Sequence, residues 1–532
     1  MSLLTPDALQ QLLLGDQELA LLDVREARQA NRAHLNLARH APLSTLELQI
    51  GAFVPRRAVP VVLYDEDDAA DGPAARAAAL LARLGYTDVR RLDGGLRAWV
   101  ARGLPLIDGN NTLVKAFGDR VRQHYGTPVL PLAELEARRR DGVPTTLIDA
   151  RPRNEYAFLS IAGARNHPGT ELSLRRFDDQ ADPHHLWAIN CFSRTRGIIG
   201  TTTLRHLGLT DRAVFVEDGV MAWGLRGAPV VQNARPEESG DELPAESPAV
   251  LRGLADALVA RHGLRRIDVE GLQRLRADTE RTLYLFDVRP PSPGAAPAGD
   301  LRHVAGGQVF MHFENLVGTR GARIVLVDDP HGLRAAITAF WLTQLNQAEV
   351  HVLDGPLPEA PTEDAKPAEA IDSDALDADA LTSLRKTGST DVVDVGPSLD
   401  YERQHLPDAF FLLPSSPEKI DALLAVPGRT VVFTSPDGAA ARLAARDALQ
   451  RRPQARVAWL RGGTQAWQAG GGALESGVRH DRLLTPFDDD WGSVMRVFGP
   501  ARDAAWADYL AWERGLSARV AQDPTVRFRF FD

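Results

Sequence analysis

Leu186-Trp187-Ala188-Ile189-Asn190-Cys191-Phe192-Ser193-Arg194-Thr195-Arg196-Gly197 is the stretch on which the fold turns. Its first five residues are a short, mostly apolar run, as in a strand buried on both faces. A polar turn follows, and 198–207 then carry a helical pattern. Cys191 heads the turn and is the chain's one cysteine. Backbone N–H groups at a helix start point at whatever anion sits there. Guanidinium groups at Arg194 and Arg196 add fixed positive charge. Both effects favour thiolate over thiol, and the thiolate is the nucleophile. A lone cysteine also reads as a small buried hydrophobe, but the turn and its arginines favour the reactive reading.

The same pattern recurs. Four apolar strands end in an aspartate: Leu21-Leu22-Asp23-Val24-Arg25, Leu147-Ile148-Asp149-Ala150-Arg151, Leu285-Phe286-Asp287-Val288-Arg289 and Val392-Val393-Asp394-Val395-Gly396. A second apolar strand follows each, ending just before Asp65, Cys191, Asp328 or Ser435. The distance from the aspartate is 42 residues in the first two copies and 41 in the last two. A helical stretch and a third strand come next. Three copies then place a glycine turn before a tryptophan: Gly94-Gly95-Leu96-Arg97-Ala98-Trp99, Asp218-Gly219-Val220-Met221-Ala222-Trp223 and Gly462-Gly463-Thr464-Gln465-Ala466-Trp467. The third keeps only Leu353-Asp354-Gly355. The tryptophans are expected to be core residues locking a helix onto the sheet. Alternating strands and helices predict an α/β fold of four tandem modules, each a small, mostly parallel sheet with helices on both faces. Ligands of such sheets bind beyond the carboxyl ends of the strands, where position 191 falls.

The module boundaries are expected at 1–110, 127–233, 250–358 and 372–476, with a helical tail over 477–532. Segments 234–249 and 355–375 read as linkers, rich in Pro, Glu, Asp and Ser or similar to such a segment. The first two modules are joined instead by a helical stretch over 113–125. Trp506, Tyr509 and Trp512 stand at near-helical spacing, and the tail is expected to dock on a neighbouring module.

At 532 residues the length suits three or four domains. A net charge of −10 argues against nucleic acid as the main partner. One cysteine leaves no internal disulfide, as in a reducing cytoplasm. No signal-like start is seen, and no apolar run reaches the ~18–20 residues that cross a bilayer. A cytoplasmic location without membrane association is therefore expected. The 14 histidines lack metal-ligand spacing. The adjacent pair His184-His185 makes a weak site, and no metal is expected.

The Asp-Val-Arg strand, the Cys191 loop and the Gly-Gly-x-x-Ala-Trp segment followed by Gly103-Leu104-Pro105 or Gly227-Ala228-Pro229 together resemble the rhodanese (sulfurtransferase) superfamily. The resemblance covers about residues 1–476 as four modules. A further family phrase, Gly-His-Ile-x-Gly-Ala, survives in part at His34-Leu35, Ile161-Ala162-Gly163-Ala164 and His405-Leu406-Pro407-Asp408-Ala409. The resemblance implies an activity. Cys191 accepts a sulfane sulfur from thiosulfate or a persulfide, and a thiol or cyanide takes it away, with no cofactor. Phe192, Ser193, Arg194, Thr195, Arg196 and Gly197 would bind the substrate through their amides and guanidinium groups. Asp149 and Arg151 would brace the loop.

Loop length bears on the chemistry. Phosphatases related to this fold place five residues between cysteine and arginine, whereas four separate Cys191 from Arg196. The shorter loop suits one sulfur atom. Mercaptopyruvate users carry Cys-Gly-Ser-Gly-Val-Thr, of which only Ser193 is shared after the cysteine. Asp65, Asp328 and Ser435 cannot carry a persulfide. The inactive first module is expected to pack on the second and shape its cleft, with the third and fourth as a scaffolding pair. The competing reading is a scaffold of degenerate repeats that binds protein partners, with Cys191 as a redox sensor.

Overall fold

Buried apolar strands of two to five residues build four five-stranded sheets, all with the same order. In the computed structural model, which describes residues 2–179, 182–235, 242–291, 299–356 and 374–532, the order counted along each sheet's own strands is 1-5-4-2-3. In the second sheet these strands are Val129–Leu130, Thr145–Asp149, Arg165–Asn166, Leu186–Asn190 and Ala213–Val216, paired in parallel throughout. The linker readings at 234–249 and 355–375 lie partly outside the described residues, at 236–241 and 357–373.

Register explains the repeat. Asp149 pairs with Asn190 at the carboxyl ends of adjacent strands, and Asp287 with Val327. The aspartate and the residue after the neighbouring strand are therefore side by side in each sheet. The three tryptophans close the units: Trp99, Trp223 and Trp467 are 2%, 5% and 7% exposed. Each indole N–H donates to a carbonyl six residues on, at Pro105, Pro229 and Ala473.

The packing between sheets corrects the expected pairing of first with second and third with fourth. The third unit is central, because its helix Leu333–Leu345 is apolar on nearly all sides and buried along its length. Towards the first unit, buried Glu18 accepts from Thr282 N–H at 2.8 Å and Thr282 Oγ1 at 2.9 Å. Towards the second, Trp341 Nε1 donates to Thr203 Oγ1 at 3.0 Å. The fourth unit meets the first, where the Arg446 guanidinium grips Glu47 at 2.6 and 2.7 Å.

Two helices outside the sheets bind these units. The bridging helix Thr112–Tyr125 buries Phe117 among Phe310, Trp341, Phe528 and Phe530, with ring centroids 5.1–6.2 Å away. Full burial of such a side chain is worth about 1.5–3 kcal/mol. The C-terminal helix Arg502–Val520 packs on the bridging helix and on Gly219–Leu225. Trp506 lies so close to Gly224 that a β-carbon there would meet its ring at 2.7 Å. No helix among the described residues is long and apolar enough to cross a membrane.

The fourth copy lacks the arginine that grips the strand-end aspartate elsewhere. Asp394 is 3% exposed and accepts from Gly396 N–H at 2.8 Å. Burial pushes its carboxyl up from 3.8 to about 7. The folded state therefore holds this proton more tightly than the unfolded chain, and stability falls as pH rises through that interval. Asp394→Asn is expected to melt at a higher temperature than the parent at pH 8, with the gap closing towards pH 4.

Candidate active site

The site begins at the end of Leu186–Asn190, in the middle of the second sheet. Cys191 is 2% exposed. Its carbonyl accepts from Val220 N–H at 3.0 Å, and Phe192's from Met221 N–H at 3.0 Å. These bonds dock the loop on the turn at Asp218-Gly219. Gly219 has φ +56°, and a β-carbon there would lie 2.1 Å from the Cys191 oxygen. Gly463 stands likewise 1.8 Å from the Ser435 oxygen. The glycine turns of the sequence are thus the seats of the loops they face.

Asp149 and Arg151 lie beneath the loop, and both side chains are wholly buried. Asp149 Oδ1 accepts from Arg151 Nε at 2.9 Å and Oδ2 from Nη2 at 2.7 Å. Asp149 Oδ2 also accepts from Asn190 Nδ2 at 3.2 Å. The Arg151 guanidinium stands 5.7 Å over the Phe192 ring, so the brace reaches the loop through that ring. Phe192 meets Trp506 edge-on at 5.7 Å. Its side chain is a packing element, and its expected part in binding substrate falls to its backbone amide.

The two arginines part company. Arg196 is clamped by both oxygens of Glu155 at 2.7 Å, and its charge bears on the Cys191 sulfur. The Gly197 N–H is hydrogen-bonded to that sulfur. Arg194 is drawn to two buried carboxylates instead, Asp218 at 2.6 Å and Asp119 of the bridging helix. The expectation that Arg194 faces the sulfur is corrected: burial demands a full partner for each charge, and the two carboxylates supply it. Arg514 closes the cluster from the C-terminal helix, donating to Asp218 at 3.1 Å.

The C-terminal helix roofs the site. Glu513 and Tyr509 lie over Ser193, whose hydroxyl lowers the pKa of both. Thr195 Oγ1 donates to Glu513 Oε1 at 3.5 Å. Glu513 is 3% exposed, and burial raises its carboxyl above the usual range. Lys115 of the bridging helix lies 5.3 Å from the Tyr509 ring and 5.0 Å from that of Trp512. Burial lowers its ammonium. His312 of the third unit is lowered by burial and then by the Arg196 charge.

The thiol corrects a second expectation. Burial pushes Cys191 up from 9.0 to about 11, and the Arg196 charge and Gly197 N–H offset this only in part. Glu513 and Asp149 push the same way as burial. In this closed arrangement the sulfur keeps its proton at neutral pH.

Sequence reading missed Glu155, Asp119, Lys115, His312, Tyr509 and Glu513. Tyr509 lay within a noticed aromatic spacing, but nothing in that spacing named its target. The Cys191-equivalent position of the third unit carries Asp328, whose carboxylate groups with Asp329 and His331. Arg334 fills that cluster, donating to Asp328 at 3.2 Å and Asp329 at 3.0 Å.

Comparison with known proteins identifies the fold of the units. The Rhodanese-like domain family matches residues 5–102 and 377–470. A crystal structure of thiosulfate sulfurtransferase from Pseudomonas aeruginosa is 33% identical over 100% of both chains, with a TM-score of 0.90. A probable 3-mercaptopyruvate sulfurtransferase of Pseudomonas aeruginosa is 40% identical over 116 residues, 21% of this chain and 38% of that relative's length.

Two measurements check the geometry. Gly219→Ala is expected to destabilise the chain by roughly 2 kcal/mol or more in denaturant unfolding, because a methyl group has no room beside the Cys191 oxygen. Alkylation of Cys191 by iodoacetamide is expected to accelerate with pH and to level off only near pH 11, following the thiolate fraction.

Proposed function

Because the chain belongs to the rhodanese superfamily, we propose that it is a sulfurtransferase whose four sheets are four rhodanese modules, the second of them catalytic. The observation that carries this reading is the sulfur of Cys191 at the carboxyl end of a central parallel strand, with the Gly197 N–H and the Arg196 charge turned to it. The full-length likeness to a thiosulfate sulfurtransferase supports thiosulfate as a donor.

The chemistry has two halves that share one nucleophile. Cys191 gives up its proton to the water that enters with the donor, and the thiolate attacks the outer sulfur of thiosulfate. A new S–S bond forms, the old one breaks, and sulfite leaves with the electron pair. Arg196 and Lys115 offset the two negative charges of the leaving group. The persulfide keeps one negative charge on its terminal sulfur, held by the Gly197 N–H. Cyanide or a thiolate then attacks that terminal sulfur, and the Cys191 thiolate leaves. Donors that admit water and anion into the site relieve the burial that keeps the thiol protonated.

A cyanide-dependent thiocyanate assay with thiosulfate tests the reading. Cys191→Ser is expected to abolish turnover. Arg196→Ala is expected to lower kcat/KM on the order of 10²-fold. Activity that survives Cys191→Ser would rule the mechanism out.

A further inference from the structure

Around the Cys191 loop, carboxylates taken out of water are matched by guanidinium groups. Asp149 holds Arg151, Glu155 holds Arg196, and Asp119 and Asp218 share Arg194. Glu513 is the exception. It is 3% exposed, and among the described residues no arginine or lysine forms an ion pair with it. Hydroxyl groups meet it instead. Thr195 Oγ1 donates to its Oε1 at 3.5 Å, and the Ser193 hydroxyl lies beside it. A buried carboxylate without a full counter-charge is the one best placed to take a proton.

Its position is fixed by its own helix. One side is held by Trp506, which meets the Phe192 ring, and the other by Arg514, which donates to Asp218 beside the glycine seat. Trp512 Nε1 donates to Asp108 Oδ1 at 3.1 Å and ties the same helix to the first unit. The charged groups facing Glu513 are Lys115 and Asp119 of the bridging helix and Arg194 of the loop. Tyr509 faces it from one turn earlier. Lys115 and Arg194 favour its charge, Asp119 opposes it, and burial opposes it most. The same charge opposes ionisation of Cys191.

Sulfur transfer through Cys191 changes what this pocket must hold. In the resting site the thiol is neutral and one negative charge lies on Glu513. A persulfide is a stronger acid than the thiol it comes from, so its terminal sulfur is charged. If Glu513 stayed ionised, two negative charges would share a site closed to water, and a dianionic donor would have to enter beside one of them. Two like charges in such a site are not both kept. Moving one proton from sulfur to carboxylate leaves the total at one throughout.

Taking the sulfur-transfer reading as its premise, we propose that Glu513 is the proton store of the reaction, filled from Cys191 through the entering water when the donor binds and emptied back to Cys191 when the sulfur has left. In the first half the Cys191 S–H bond breaks, the carboxylate gains the proton, the new S–S bond forms and sulfite leaves as a dianion. In the second, cyanide takes the terminal sulfur as thiocyanate and the Cys191 thiolate recovers the proton. No proton is exchanged with bulk solvent in either half.

The test counts protons. The full chain is mixed with excess thiosulfate, without cyanide, in weak buffer with an indicator dye at pH 8.5, where sulfite stays a dianion. Mass spectrometry counts the sulfur added to Cys191. The parent is expected to release fewer than about 0.2 protons per persulfide, and Glu513→Gln, which keeps an acceptor for Thr195, about one. The parent's kcat/KM for thiosulfate is expected to be flat from pH 7 to 9, whereas that of the variant rises about tenfold per pH unit because its proton must go to solvent. A neutral alkylating agent brings no charge to fill the store, so its rate still follows the thiolate fraction. One proton released by the parent, a proton retained by both proteins, or the same pH profile in both would overturn the proposal. The parent's count decides the matter even if the variant does not fold. Absence of added sulfur on Cys191 in the parent would instead sink the sulfur-transfer reading, and the proton store with it.

Discussion

Arg194, held between Asp119 and Asp218 and backed by Arg514, is the contact on which the site's geometry rests. It joins four parts of the chain: the loop after the central strand, the bridging helix, the glycine turn and the C-terminal helix. Burial makes it exacting, since each charge removed from water must meet another at close range. Removing any one partner leaves a bare charge inside the protein. The arrangement also assigns the work. With Arg194 bound to the framework, Arg196 is the arginine left beside the sulfur, and Glu155 fixes its plane.

That division was not legible in the sequence. Both arginines follow Cys191 at short range, and local spacing says nothing about which carboxylate each will meet. Asp119 lies 75 residues before Arg194, and Arg514 lies 296 residues beyond Asp218. Such pairings are made by tertiary packing. The sheets, by contrast, were plain. Strands buried on both faces carry apolar runs, and parallel register sets the aspartate beside the end of the next strand. The repeat at 41 or 42 residues is that geometry written along the chain. The glycine turns were visible too, and their reason emerges only in the structure, where a methyl group would strike a carbonyl oxygen. The order in which the units pack was misread, because the helix Leu333–Leu345 shows its centrality only as an absence of any polar face.

The four copies fill the same strand-end position in different ways. The first and third units keep the aspartate–arginine brace and replace the cysteine by aspartate, and in both the new carboxylate is satisfied locally. Asp65 caps the helix after it, accepting from Ala74 N–H at 2.9 Å. Asp328 is answered by Arg334. The fourth unit lacks the brace arginine as well, and its Ser435 hydroxyl accepts from Ala441 N–H at 3.3 Å. Strand burial holds all four units independently of the loops, and a tryptophan–carbonyl bond adds to it in the first, second and fourth. The second unit shares the glycine seat and the brace, and its loop is in addition covered from above, by the C-terminal helix.

The cover has a consequence in time. Thr195 and Glu513 are 318 residues apart, so at about 5–20 residues per second a ribosome needs roughly 15–60 s to make the second after the first. Throughout that interval the second unit can fold with its sulfur unshielded, at the stage when chaperones and oxidants both have access to it. A translational pause or premature release between the two would leave a folded protein bearing an open thiol, and its fate would be decided by quality control rather than by catalysis.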